Sequence, residues 1–207
     1  MIIIVPLLII SIFSYLVPIF WGIKNRFTLL WLYAVTGFTF DLLVTSLKRI
    51  LHINYHWATN LFVLIEFILI AFLYKDKIYK QKLSFLILNG SICCFFIITT
   101  LYKSLNELNT FGYSIFLFSY ILYGIFGLLT ILKKQEIVFL EKSSFFWMNV
   151  AFILYASGDF LSILFTDYAH KNAPELFVFL WSISFKVFNI LKNLLLAKAL
   201  SCNSNDI

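Results

Sequence analysis

WSISFKVFNILKNLLLAKAL, residues 181–200, reads as a membrane helix interrupted by two lysines. Lys186 and Lys192 sit in a run otherwise apolar enough for lipid, where removing an ammonium from water is costly. A chain that keeps both must shelter them or let their long stems reach an interface. The shelter has to come from other apolar segments, and the sequence is full of them.

Of its 207 residues, 62% are hydrophobic and 13% charged. The mean hydropathy is +0.94, whereas soluble domains are about 45–50% apolar. The charges come in clumps between long uncharged runs, the pattern of an integral membrane protein. The formal charge of +6 lies mostly in short loops between those runs. There lysine sets topology, so no nucleic-acid partner is expected and membrane lipid is. Met1–Ile10 has no basic region ahead of its apolar stretch, so residues 2–22 are expected to be a retained helix rather than a signal. Cys93, Cys94 and Cys202 make no disulfide framework and are read as inert thiols.

A spanning helix needs about 20 mostly apolar residues. Segments 2–22, 28–47, 57–74, 83–102, 111–132, 145–166 and 177–199 meet that need. The expected fold is an all-α seven-transmembrane-helix bundle, with residues 1–207 as a single transmembrane domain. Lysines and arginines are unevenly shared between its two sides. Lys24, Arg26, Lys75, Lys77, Lys80, Lys82, Lys133, Lys134, Lys142 and Lys198 fall on one side; Lys48, Arg49, Lys103 and Lys171 fall on the other. The richer side is expected to be cytoplasmic, which puts the N-terminus outside and the C-terminus inside.

Asp41, Glu66, Asp159, Lys186 and Lys192 lie inside the expected spans. Ionisable residues there tend to face the bundle interior and mark function. Counting along alternating helices puts Asp41, Glu66, Asp159 and Lys186 at similar depth. Lys192 falls deeper by about 9 Å at the helical rise. At helical spacing Ser182, Lys186, Asn189 and Asn193 share a stripe, with Lys192 off it; Gly37, Asp41 and Thr45 line one side of the second helix. Asn60, Asn149 and Ser157 add hydrogen-bonding groups. The expected ligand or ion site is therefore Asp41, Asn60, Glu66, Asn149, Asp159, Lys186 and Asn189, with Lys186 paired to Asp41, Glu66 or Asp159. Lys192 is read as snorkelling toward the cytoplasmic interface or as packing. The same residues also read as purely structural, since interhelical hydrogen bonds hold membrane bundles together.

Catalytic signatures are missing. His52, His56 and His170 sit in or beside loops, and no metal ligand set is expected from them. There is no glycine-rich phosphate loop, nucleophile elbow or HExxH. Ser182 and Lys186, one turn apart, have a nucleophile–base spacing, and it reads as packing. No catalytic residue and no cofactor are expected.

Two resemblances add to this. A lysine in the seventh helix with carboxylates on other helices is similar to microbial rhodopsins, in which that lysine carries retinal. The aspartate usual four residues before it is Ser182 here, which argues against retinal on Lys186. SSFFWMNVAFILYASGDFLSILF (143–165), NLFVLIEFILIAFLYKD (60–76) and the pair Asn189 and Asn193 resemble a group of small seven-helix membrane proteins of Bacteroidetes-type bacteria. The likeness rests on Phe146, Trp147, Asn149, Tyr155, Ser157, Gly158, Asn60, Glu66, Phe67, Asn189 and Asn193; Lys186 and Asp159 stand outside it. Members are often encoded near sensor histidine kinases. The resemblance implies a multi-pass protein of the bacterial cytoplasmic membrane in a signalling context, with a sensor kinase or other membrane protein as partner. The expected function is a sensor or signalling accessory with a polar intramembrane site. A small-solute or ion transporter and a scaffold regulating a kinase or defence system are the alternatives.

Overall fold

Pro18 shapes the first segment. It has no N–H to give, and its ring crowds the carbonyl of Ser14 four residues earlier. In the computed structural model the segment is accordingly broken at Tyr15 into α1 (Ile4–Ser14) and α2 (Leu16–Lys24). The described residues are 4–24, 29–78, 82–134 and 140–202. Arg26 and Lys80, used above for topology, lie outside them, as do the side chains of Lys24, Lys77, Lys82, Lys134 and Ser182.

The chain continues through α3 (Leu29–Arg49), α4 (His56–Ile78), α5 (Lys82–Lys103), α6 (Thr110–Lys134) and α7 (Ser144–Leu164). Then come two short helices, α8 (Thr166–Asn172) and α9 (Pro174–Phe179), a π-helical turn (Leu180–Ser184) and α10 (Phe185–Ser201). No strand occurs among the described residues. Helices suit an apolar medium because every backbone bond is satisfied within the segment.

Six of the described helical segments are long and apolar enough to cross a membrane: Val5–Ile23, Leu29–Arg49, His56–Lys75, Leu83–Lys103, Thr110–Lys133 and Ser144–Leu164. They follow the expected spans to within a few residues. The expected seventh, 177–199, is helical but stands apart from those six. It is divided among α9, the π turn and α10, of 6, 5 and 17 residues.

Helix α7 packs between α6 and α10, and α10 also touches α1, α2 and α3. Helix α4 lies against α3, α5 and α6, while α5 sits at the rim and turns Leu86, Ile87, Ile98 and Leu101 outward. Aromatic rings fill the middle: Phe67 stacks on Phe116 with centroids 4.1 Å apart, and Phe116 on Phe96 at 4.6 Å.

Small residues set the closest approaches. A Cβ on Gly127 would fall 2.1 Å from Asn149 Oδ1, and one on Gly158 would fall 2.4 Å from the Phe188 ring. The run of small residues Ala156, Ser157 and Gly158 thus admits a ring from α10. Ser157 faces outward and donates to the Ile153 carbonyl, 2.7 Å away. Ser143 caps α7 by accepting from Phe146 N. Ser144 Oγ donates to the Ala199 carbonyl at 2.6 Å, tying the start of α7 to the end of α10. Trp147 donates from Nε1 to the Glu141 carbonyl at 2.8 Å.

Gly158→Ala should therefore destabilise the bundle by about 1–3 kcal/mol, the usual cost of overpacking. The melting temperature in detergent checks this; an unchanged value would mean that α7 and α10 are not held as close as described.

Candidate functional site

Lys192 is the most enclosed cation among the described residues. It is 1% exposed, and so is Glu66. Its Nζ donates to Tyr33 Oη at 2.9 Å, and Tyr33 Oη donates to Glu66 Oε1 at 2.7 Å. The ammonium and Glu66 Oε1 are 3.8 Å apart, so the ion pair is bridged by the phenol. Three tyrosine rings close around the charge: Tyr155 at 4.1 Å, Tyr33 at 5.2 Å and Tyr15 at 5.4 Å from Nζ. A desolvated ammonium over a ring face gains about 2 kcal/mol or more. The cage draws on the α1–α2 break, α3, α4, α7 and α10, so each must be in place for Lys192 to be tolerated.

This corrects two expectations. Lys192 does not snorkel to an interface; it is buried, because α10 is surrounded by α1, α2, α3 and α7. Glu66 pairs with Lys192 and not with Lys186, so these two residues share a depth that counting from the loops had separated. Lys186 does pair with Asp41, at 3.8 Å, with side chains 22% and 25% exposed. There are thus two separate pairs rather than one cluster of four.

The remaining predicted residues divide by how fully they are used. Asn60 clamps a loop, donating to the Glu107 carbonyl at 2.8 Å and accepting from Asn109 N at 3.1 Å. Asn189 accepts from Tyr15 Oη at 3.0 Å and donates to Ser11 Oγ at 2.9 Å; Asn193 donates to Ser14 Oγ at 2.7 Å. These amides lace the first segment to α10. Asn149 donates to the Phe145 carbonyl at 2.6 Å and leaves Oδ1 without a partner at the α6–α7 seam. Asp159 differs from all of them. It is fully buried, and neither carboxyl oxygen has a hydrogen-bond partner. It lies within electrostatic reach of Lys192, Glu66 and Lys186.

Asp159 belongs to a ladder that the sequence reading missed. Tyr155, Asp159, Ser162 and Thr166 follow one another by three or four residues along α7 and into α8, and all are buried. The upper rungs are cross-linked to the π turn: Ser162 Oγ and Ser184 Oγ are 3.3 Å apart, and Trp181 Nε1 donates to Thr166 Oγ1 at 3.0 Å. The lowest rung, Tyr155, is the ring under Lys192, and its hydroxyl meets that of Tyr113 at 2.9 Å. The spacing of these four residues is visible in the sequence, but Ser162 and Thr166 are uncharged and stand out in no motif, and Tyr155 enters only through the resemblance.

At its top the ladder opens into a cavity of about 740 Å³. The α3–α4 loop, the α5–α6 loop and the α8–α9 region all contribute to it, through residues that include Lys48, His56, Lys103, Thr166, Lys171 and Trp181. None of the predicted ligand residues lines it. His52 (φ 51°) and Ser104 (φ 106°) are the non-glycine residues with positive φ among those described, and each stands in one of the two loops that frame it. Such backbone costs about 1–3 kcal/mol and collects at functional sites. No group of three or more His, Cys, Asp or Glu residues suited to a metal occurs among the described residues.

No family model, curated protein or solved structure matches the chain.

Lys192→Met should destabilise strongly, by about 3–5 kcal/mol, because it strands Glu66. Lys192→Met with Glu66→Gln should recover much of that loss. A double variant as unstable as the sum of the singles would show that the two side chains do not interact. Asp159→Leu removes an unsatisfied carboxyl and should raise the melting temperature; a fall would make Asp159 a structural residue.

Proposed function

We propose that this is a receptor-like membrane protein that binds a small ligand in the loop-end cavity and passes the event along α7 and α10 to the Lys192–Glu66 pair. The carrying observation is the buried ladder from Thr166 to Tyr155, which links a wall of the cavity to the cage around Lys192. The π turn supports the same reading. Such turns break the regular ladder of helical hydrogen bonds and recur at functional sites. Trp181, on that turn, lines the cavity.

A ligand that shifts Trp181 would disturb its bond to Thr166 and the Ser162–Ser184 contact below. Asp159 has no hydrogen bond to hold it in one place, so its environment follows the packing of α7 against α10. The bridged Lys192–Glu66 pair is a discrete arrangement that such a shift would favour or disfavour.

We further infer a seven-span topology, with Pro174–Ser201 as the last span. Its interior lysines are sheltered by Asp41, Glu66 and the tyrosine rings rather than exposed to lipid. The lysine bias puts the cavity on the outer face and the end of α10 in the cytoplasm. Placement in a bacterial cytoplasmic membrane, and a sensor kinase as the recipient of the signal, rest on the sequence resemblance alone.

Cys202, at the end of α10 beside the Glu141 carbonyl, is a built-in reporter. With Cys93 and Cys94 replaced by alanine, a ligand found by thermal shift should change the maleimide labelling rate of Cys202 several-fold. Trp181→Ala should abolish the thermal shift, and Asp159→Leu should keep the shift while losing the Cys202 response. Labelling indifferent to a bound ligand would sink the proposal, and ligand flux into liposomes holding the protein alone would favour transport.

A further inference from the structure

The lysines that weaken the topological bias are the ones that converge on the cavity. Of Lys48, Arg49, Lys103 and Lys171, which occupy the three loops on that side, Lys48, Lys103 and Lys171 line it. Topology alone would disfavour basic residues there. Their gathering from three separate loops calls for a different cause.

Lys103 is already engaged, donating to Thr110 Oγ1 at 3.4 Å. Lys48 lies with Nζ 5.1 Å from the Tyr55 ring centroid, and neither it nor Lys171 makes an ion pair among the described residues. His56 also lines the cavity, and its Nδ1 is buried without a hydrogen-bond partner. Among the described lining residues, Glu107 is the acidic one. Cationic capacity is therefore in excess on one part of the wall.

The other part is aromatic and continuous. His170 lies 4.9 Å from Phe177 and Phe177 lies 6.2 Å from Trp181, which is backed by Phe185, outside the lining, stacked on it at 4.9 Å. The volume falls in the usual range for small-molecule sites, which are largely apolar with a few placed polar groups.

We infer that the cavity takes a small amphipathic anion, its carboxylate or phosphate held by Lys48 and Lys171 and its apolar body laid against Phe177 and Trp181. This rests on the reading of the cavity as the ligand site and adds the chemistry of the ligand. The anion is a dissolved metabolite or the headgroup of a membrane lipid, since both present the same group to the lysines.

The test uses the full chain in phosphatidylcholine nanodiscs, titrated with phenyl phosphate, inorganic phosphate and neutral benzyl alcohol, and read by melting temperature. Phenyl phosphate should stabilise the protein most, and added salt should weaken the effect. Lys48→Gln with Lys171→Gln should weaken phenyl phosphate binding roughly tenfold or more. Both lysines are exposed side chains, so the unliganded melting temperature should barely move. Stabilisation by phosphatidylglycerol discs that the double variant loses would identify a lipid headgroup as the source and uphold the proposal. An equal response to benzyl alcohol, or binding insensitive to the double variant, would overturn the anionic assignment while leaving the cavity a ligand site. Indifference to all three probes and to phosphatidylglycerol would overturn both.

Discussion

One ammonium, that of Lys192, constrains how the rest of the chain can fold. Moving such an ion into an apolar interior costs several kcal/mol even after relaxation. The cost is offset by a bridged carboxylate, a phenol oxygen and three ring faces, contributed by α4, α3, α7 and the α1–α2 break. None of these contacts is local in sequence. Remove any one wall of the cage and the charge is exposed to hydrocarbon or left short of partners. The interaction therefore favours one packing of the helices over the many that apolar contacts alone would allow. Lipid tails are as apolar as leucine, so burial by itself provides little discrimination in this medium.

Around that centre, polar side chains fall into two groups. Asn60, Asn189 and Asn193 bond to loops and to the first segment, and they act as ties. Asp159, Lys48, Lys171 and His56 Nδ1 have capacity that the described contacts do not use. A fold selected for stability alone would have little reason to keep a buried carboxyl without a partner. Part of that unused capacity, at His56, Asp159 and Glu66 Oε2, lies between the cavity and the cage, while Asn149 Oδ1 and the hydroxyls of Tyr74 and Tyr120 lack partners elsewhere in the bundle.

Much of the architecture was legible in the sequence because lipid imposes a simple rule of length and polarity. The break in the first segment is not read from the sequence, where 2–22 counts as one helix, although Pro18 supplies its cause; Asp41, Glu66, Asp159, Lys186 and Lys192 do stand out as interruptions of apolar runs. Their pairing was not legible. Reckoning depth from the loops treats each expected span as one regular helix starting at a common plane, whereas 177–199 is divided among α9, the π turn and α10. That error put Lys192 too deep for Glu66. Yet Asn189, Lys192, Asn193 and Leu196 follow the spacing of a core-facing stripe, a signal overshadowed by the stripe through Lys186. The cavity was hidden for another reason. It is assembled from loops far apart in sequence, and its basic residues enter the sequence reading only as the smaller side of the topological count.

The lacing of the first segment to α10 has a consequence for biosynthesis. Tyr15, Tyr33 and Glu66 leave the ribosome long before Lys192 is made. Until α10 arrives, the Glu66 carboxyl and several phenols wait without the Lys192 ammonium, and α10 itself carries two lysines that suit it poorly to lipid alone. Burial of Lys192 is thus coupled to docking of α10 against helices already in place. A chain stalled or cut before Lys192 would leave Glu66 without its ammonium partner and the tyrosine rings of the cage with no charge to enclose.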